Sequence, residues 1–319
     1  TEDEIVVTRL DHDGNISPWL QIAYETGAKI RWIDFNPKDC TLDLDDFEKT
    51  ITDKTKLVAI GYASNSVGTI NPIKKIASMA HSVGALVFVD AVQYAPHAPR
   101  DVQELDADFL VCSPYKFFGP HQGVLWGKYE LLDRLPPYKV RPAENHPPHK
   151  FETGTQSHEG QAGTLGALEH IEWIGRQFGH KHASQFPKMT NSCLHMHCGM
   201  AAIKTYEQKL SAHLIEGLQQ ISEVRIYGIT NTQQLDERVP TVSFTVKGYE
   251  PSHIAQIMGD KNIFVWDGHN YAIETMSQLG LEKTGGMIRV GPAHYNTCLL
   301  YTSDAADDTP CVDLGGRRI

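Results

Sequence analysis

Lys116 and Asp90 are the two residues of this sequence best placed for covalent chemistry. Asp90 closes the apolar run LVFVD, and Lys116 follows a second apolar run, DFLVCS, in the segment SPYKFFGP. A carboxylate at the end of one buried strand and an amine in the loop after the next suit a cofactor that needs both. Pyridoxal phosphate is such a cofactor: an amine forms its Schiff base, and an anion keeps its ring nitrogen protonated. The protonated ring is then an electron sink for a carbanion at a substrate Cα. Desolvation and neighbouring positive charge depress a lysine pKa, which aids attack and later proton transfer. Gln93, just past Asp90, is placed to hydrogen-bond the phenolic oxygen, and His12 to stack on the ring.

Competing readings of these residues have less support. LVFVD resembles a Walker B strand, but no GxxxxGK[ST] loop occurs, and GVLWGKY at 123–129 has the wrong spacing. No GxGxxG occurs, which leaves a nicotinamide site without support. A lone Asp or Lys in a loop is more often a solvated charge. The joint placement of Asp90, Gln93, Ser113 and Lys116 is what carries the reading. In CLHMHCG (193–199), His195 and Cys198 share a helical face while His197 points elsewhere. With no further ligand pair nearby, ordinary helix packing is expected there and no metal site. HPPH (146–149) reads as a stiff loop.

The elements that must position these residues alternate. Apolar strands are expected at 4–8, 29–34, 56–64, 85–90, 108–113 and 123–127. Helices are expected at 18–26, 44–51 and 72–83, the last opened by Pro72. Continuous apolar runs separated by helices indicate an α/β fold, a mostly parallel sheet covered by helices on both faces. In such sheets ligands bind beyond the carboxyl ends of the strands. Asp11-His12, Asn65, Asp90 with Gln93, and Ser113 with Lys116 all fall there. Helical stretches follow at 163–174 and 193–224. Strands at 241–246, 263–265 and 287–290, with a helix around 252–258, suggest a smaller α+β domain.

The bulk properties exclude some functions. A net charge of −10 and a pI near 5.9 argue against nucleic acid or anionic membrane as the main partner. No run approaches the roughly 18 apolar residues of a membrane span. Six scattered cysteines lack disulfide-framework or zinc spacing and point to a reducing, cytoplasmic setting. The chain begins at Thr1 almost directly in a strand, and 298–319 changes character abruptly. That tail is expected to be non-native.

The segments DHDGNISPW (11–19), SNSVGTINPI (64–73), VDAVQ (89–93), SPYKFFGPHQGVLW (113–126) and FETGTQS (151–157) resemble the class V aminotransferase family. The branch they resemble is that of the cysteine desulfurase-like proteins, over about residues 4–297. The resemblance implies a fold type I pyridoxal-phosphate homodimer with active sites shared at the interface. It implies a large domain at 1–199, short of its amino-terminal part, and a small domain at 200–297. Lys116 is then the Schiff-base lysine, and Asp90 pairs with the pyridinium nitrogen. Gln93 and Asn65 reach the phenolic-oxygen side, and His12 stacks on the ring. Ser113 binds phosphate, Thr155 reaches the neighbouring subunit's phosphate, and Arg289 receives the substrate carboxylate.

The sequence also departs from that pattern. Tyr115 stands where the desulfurases have a His before the lysine, so its contact with phosphate differs. In FVWDGHNYA (264–272), Tyr271 occupies the position of the persulfide-forming cysteine and Trp266 that of an arginine. Cys112 is no substitute on this reading, because a buried strand end is expected there. Persulfide chemistry by the usual route is therefore not expected. The resemblance further implies about a hundred residues before Thr1, compatible with usual domain sizes. They include a helix N-terminus that holds the cofactor phosphate, and without them weak cofactor binding or misfolding is expected. The leading expectation is an enzyme acting at Cα or Cβ of a small amino acid by transamination, elimination or epimerisation. The alternative is a non-enzymatic descendant that keeps the fold for binding or dimerisation.

Overall fold

The computed structural model of the chain describes residues 2–297; the expected non-native tail at 298–319 lies outside the described residues. Six strands, β1 (Glu4–Thr8), β2 (Lys29–Ile33), β3 (Thr55–Gly61), β4 (Leu86–Asp90), β5 (Phe109–Cys112) and β6 (Val124–Gly127), form one sheet in the order β2-β1-β3-β4-β5-β6. The first five run parallel, and β6 is antiparallel to β5 at the edge. The mostly parallel α/β sheet expected from the apolar runs is therefore present. Val87 and Val89, on one face of β4, are fully buried, and Leu86, Phe88 and Asp90 on the other face are half-buried.

Crossover helices hold this sheet. They are α1 (Ser17–Thr26), α2 (Leu44–Thr50), α3 (Ile73–Ser82) and the single turn α4 (Val102–Leu105). In α1, Gly27 at φ 77° supplies the left-handed residue that stops the helix. Asp43 caps α2 by accepting from the amides of Asp45 and Asp46, both at 3.0 Å. α3 places Ile73, Ile76, Ala77 and Ala80 on one buried face. Each isoleucine contributes about 1.5–3 kcal/mol by leaving water.

After the short helix α5 (Tyr129–Arg134), two long helices form an antiparallel pair, α6 (His158–Phe178) and α7 (Asn191–Gln219). Their backbones touch. A Cβ at Gly175 would lie 1.8 Å from the His195 carbonyl oxygen, and one at Gly199 would lie 2.3 Å from that of Ile171. The CLHMHCG segment thus serves helix packing: Cys198 is buried, and His197 Nδ1 lies 2.8 Å from the Cys193 carbonyl oxygen. Among the described residues no group of three or more His, Cys, Asp or Glu is arranged to hold a metal ion. None of their helices is long and apolar enough to cross a membrane.

The last third folds as expected into an α+β unit. β7 (Val224–Tyr227), β8 (Val242–Val246), β9 (Trp266–Gly268) and β10 (Met287–Val290) form an antiparallel sheet in the order β7-β8-β10-β9, with α8 (Pro251–Asp260) beside it. The short α9 (Ile273–Leu279) packs instead towards the larger sheet, where Thr275 and Gln278 donate to the carbonyls of Arg9 and Phe35. Several boundaries differ from the sequence reading: α6 begins at His158 and not at residue 163, and β3 ends at Gly61 and not at residue 64. α7 ends at Gln219 because Val224 pairs with Val246 in β7. The strand expected at 263–265 lies at Trp266–Gly268, where antiparallel pairing sets Trp266 opposite Arg289. The helix α7 runs unbroken across residue 200.

Candidate functional site

The strand ends open on one cleft of about 660 Å³. β1 delivers Asp11 and His12, β3 delivers Gly61 and Asn65, and β4 delivers Asp90 and Gln93. β5 delivers Cys112, Ser113, Tyr115 and Lys116. β6, running the other way, brings Val124 and Leu125 to the same end. The smaller sheet closes the cleft with Trp266, Asn270, Tyr271 and Arg289. Eight of the nine residues singled out in the sequence thus meet in one place, from five strands. Thr155 is the exception: it is exposed in the loop before α6.

Asp90 ends β4 with one carboxylate oxygen, Oδ1, accepting from the Val92 amide at 2.9 Å. Burial pushes its carboxyl up, while His12 and Lys116 pull it down. Lys116 sits in a tight turn, Pro114–Phe117, anchored by buried Phe117 and closed by Phe118 at φ 70°. Its Nζ lies 5.4 Å from the centre of the Tyr115 ring. Burial and then the Arg289 charge push the Lys116 ammonium down, against the pull of Asp90. A larger share of neutral amine follows, which is the nucleophilic form.

His12 accepts from the Gly14 amide through Nδ1 at 2.9 Å, which fixes its ring and makes that nitrogen the acceptor. The ring stacks on Tyr271, with centroids 5.6 Å apart and planes 19° apart. Tyr271 and Asn270 both take left-handed backbone conformations, φ 55° and 53°, a local cost typical of functional loops. Gln93 donates to the Thr241 hydroxyl at 2.9 Å. Asn65 donates to the Asn270 carbonyl at 2.6 Å, and its own Oδ1 is buried with no partner. Arg289 is half-buried, and burial pushes its guanidinium down.

Cys112 differs from expectation: the end of β5 is only half-buried, and the thiol borders the cleft. Burial, aided by Asp90, nevertheless pushes that thiol up, away from the reactive thiolate. Asp11 and Asn270 also line the cleft: the sequence placed Asp11 at a ligand-binding strand end without giving it a role, and it did not single out Asn270. Asp11 stands next to His12 at the same strand end, which is the one signal the sequence carried. Asn270 had none beyond its neighbour Tyr271.

The fold and the strand-end cleft define a class. The aminotransferase class V family model matches residues 1–196 and 188–298. The chain belongs to the aminotransferase class V family, within its cysteine desulfurase-like branch, whose members use pyridoxal 5′-phosphate. It is 35% identical over 295 residues to a probable cysteine desulfurase of Streptomyces coelicolor, covering 89% of this chain and 64% of that one. It is 36% identical over 303 residues to an aminotransferase-like protein of Gibberella zeae, covering 92% and 69%. The cysteine desulfurase from Thermococcus onnurineus superposes with a TM-score of 0.81 at 31% identity, over 95% of this chain and 71% of that one. The chain spans under two thirds of the Streptomyces relative's length.

The donor set fits the family's cofactor. A desolvated amine, a strand-end carboxylate with one oxygen engaged, a ring for stacking and an amide oxygen without a partner share one cleft.

Proposed function

We propose that this chain forms the cofactor and substrate cleft of a pyridoxal-phosphate enzyme acting at Cα or Cβ of a small amino acid. The observation that carries the reading is the convergence of Lys116 and Asp90 in one cleft, with the lysine depressed by burial and by Arg289. The cofactor, when bound, supplies the electron sink that makes a substrate Cα–H acidic.

This chain's residues do the rest. Asp90 would set a negative charge against the cofactor's ring nitrogen and so favour its protonated form. His12 would cover one ring face, and Gln93 and Asn65 would serve the phenolic-oxygen side. Ser113 and Tyr115 border the phosphate end, and exposed Thr155 reaches the phosphate of a second subunit in a homodimer. Arg289 holds the substrate carboxylate in its fork. Lys116 Nζ, its ammonium pushed down by burial and by Arg289, takes the proton from Cα in its neutral form and can return it elsewhere. Val124, Leu125, Trp266 and Tyr271 give the cleft an exposed, largely apolar rim.

The loop 264–272 presents the Tyr271 phenol where the family resemblance places a thiol. We therefore favour transamination, elimination or epimerisation over persulfide chemistry. We divide the chain into a cofactor domain at 1–199 and a small domain at 200–297, and place it in a reducing, cytoplasmic compartment on the exposed free thiol of Cys193. No feature of the cleft favours a descendant that keeps the fold for binding alone. An amino-acid panel read for keto acid, sulfide and chirality tests the reading. Turnover that Lys116→Ala abolishes supports it, and turnover unchanged in Lys116→Ala sinks it.

A further inference from the structure

The cleft holds a second carboxylate to which the chemistry above gives no task. Asp11 stands directly before His12 and is 2% exposed. Its side-chain partners are neutral donors. Oδ1 accepts from Asn15 Nδ2 at 3.0 Å, and Oδ2 accepts from the Thr8 hydroxyl. Gly61 lies against it: a Cβ there would come 2.7 Å from Oδ1. Gly61 is also in register with Asp90 on the neighbouring strand. One missing side chain thus lets a second carboxylate approach the strand pair that carries Asp90.

The charged groups around the two carboxylates come from each wall of the cleft. Asp11 faces Asp90 of β4; Asp90 faces His12 from the turn after β1 and Lys116 from the turn after β5. Lys116 in turn faces Arg289 of β10. Two carboxylates in a desolvated cleft resist ionising together unless a cation joins them. Burial, with Asp90 adding to it, pushes the Asp11 carboxyl up to about 7.

We propose that Asp11 is a proton-holding positioning residue for Asp90: it keeps a proton until a cationic ring is set against Asp90, then releases it to solvent. The proposal rests on the pyridoxal-phosphate reading of the cleft. Only a proton moves. The Thr8 hydroxyl is the partner that can follow it, accepting from protonated Asp11 and donating to the carboxylate. The Asn15 amide donates in either state. With Asp11 ionised, two carboxylates back one pyridinium, and the ring nitrogen holds its proton to higher pH.

The test counts protons released per pyridoxal phosphate bound, in weakly buffered solution with a pH indicator, at pH 7 and pH 9. Wild type should release about half a proton more than Asp11→Asn at pH 7 and no more at pH 9. Thr8→Val keeps the shape but removes the donor to the carboxylate, and should move the release to higher pH. That comparison stands even if Asp11→Asn fails to fold. Equal counts in wild type and both variants at pH 7 would overturn the proton-holding role alone. Cofactor uptake that is equal in wild type and Lys116→Ala would overturn it together with the cofactor reading.

Discussion

Arg289, on the smaller sheet, donates from Nη1 to the main-chain carbonyl of Asn65, in the turn that follows β3 of the larger one, at 3.0 Å. Asn65 answers by donating to the carbonyl of Asn270, back on the side of the smaller sheet. The two sheets are thus tied at the cleft by residues that also line it. The tie fixes the plane of a guanidinium whose use depends on a rigid fork.

Arg289→Lys should therefore weaken substrate binding while leaving the cofactor in place. A charge-assisted fork is worth about 1.5–3 kcal/mol, so KM for an amino-acid substrate should rise about 10- to 100-fold. Steady-state kinetics beside a cofactor absorbance spectrum checks this. An unchanged KM would remove Arg289 from the substrate site.

Asp90→Asn keeps the shape of the β4 end and its acceptor for the Val92 amide, but loses the charge. Cofactor affinity should fall by about tenfold or more, on the scale of a lost buried charge pair. Spectral titration with pyridoxal phosphate measures it. Affinity equal to wild type would mean that Asp90 does not face the ring nitrogen.

The buried acid at Asp11 makes the unliganded fold pH-dependent. Its carboxyl is raised to about 7 from the ordinary 3.8, so the folded state binds the proton more tightly than the unfolded one. The stability it contributes is fully present below about pH 4 and is lost as pH rises towards 7. The span is up to about 4 kcal/mol, and Asp90, also raised, acts in the same direction. Urea unfolding at pH 5 and pH 8 should show a fall for wild type and a smaller one for Asp11→Asn; equal slopes would contradict this.

Gly61→Ala tests the close approach directly. The new Cβ would meet Asp11 Oδ1 at 2.7 Å, and Asp11 is held by two side chains and cannot swing freely. Overpacking of this kind costs about 1–3 kcal/mol. A lower Tm, with a smaller loss when Asp11→Ala is added, is the expected result.

Much of the larger sheet was legible because its strands are short apolar runs broken by helices, and because the chemistry lies where those runs end. That is why the sequence alone groups Asp90, Lys116, Gln93, Asn65 and His12. The antiparallel turn-back of β6 was not legible, since GVLWG reads the same in either direction. β7 was hidden because Val224 continues a helical-looking stretch, and only pairing with Val246 makes it a strand. β9 was misplaced because apolar Ile263 and Val265 look more strand-like than Trp266–Gly268, yet cross-strand register decides. The Asp11–Gly61 contact joins residues from separate strands, and no local pattern reports it.

The central claim is that Lys116 is the residue that takes up the cofactor. Incubating the chain with pyridoxal phosphate, reducing with borohydride and mapping peptides by mass spectrometry tests it most directly. The cofactor mass should appear on the peptide carrying Lys116 and be absent from Lys116→Ala. Labelling spread over surface lysines, or equal in the variant, would contradict the claim.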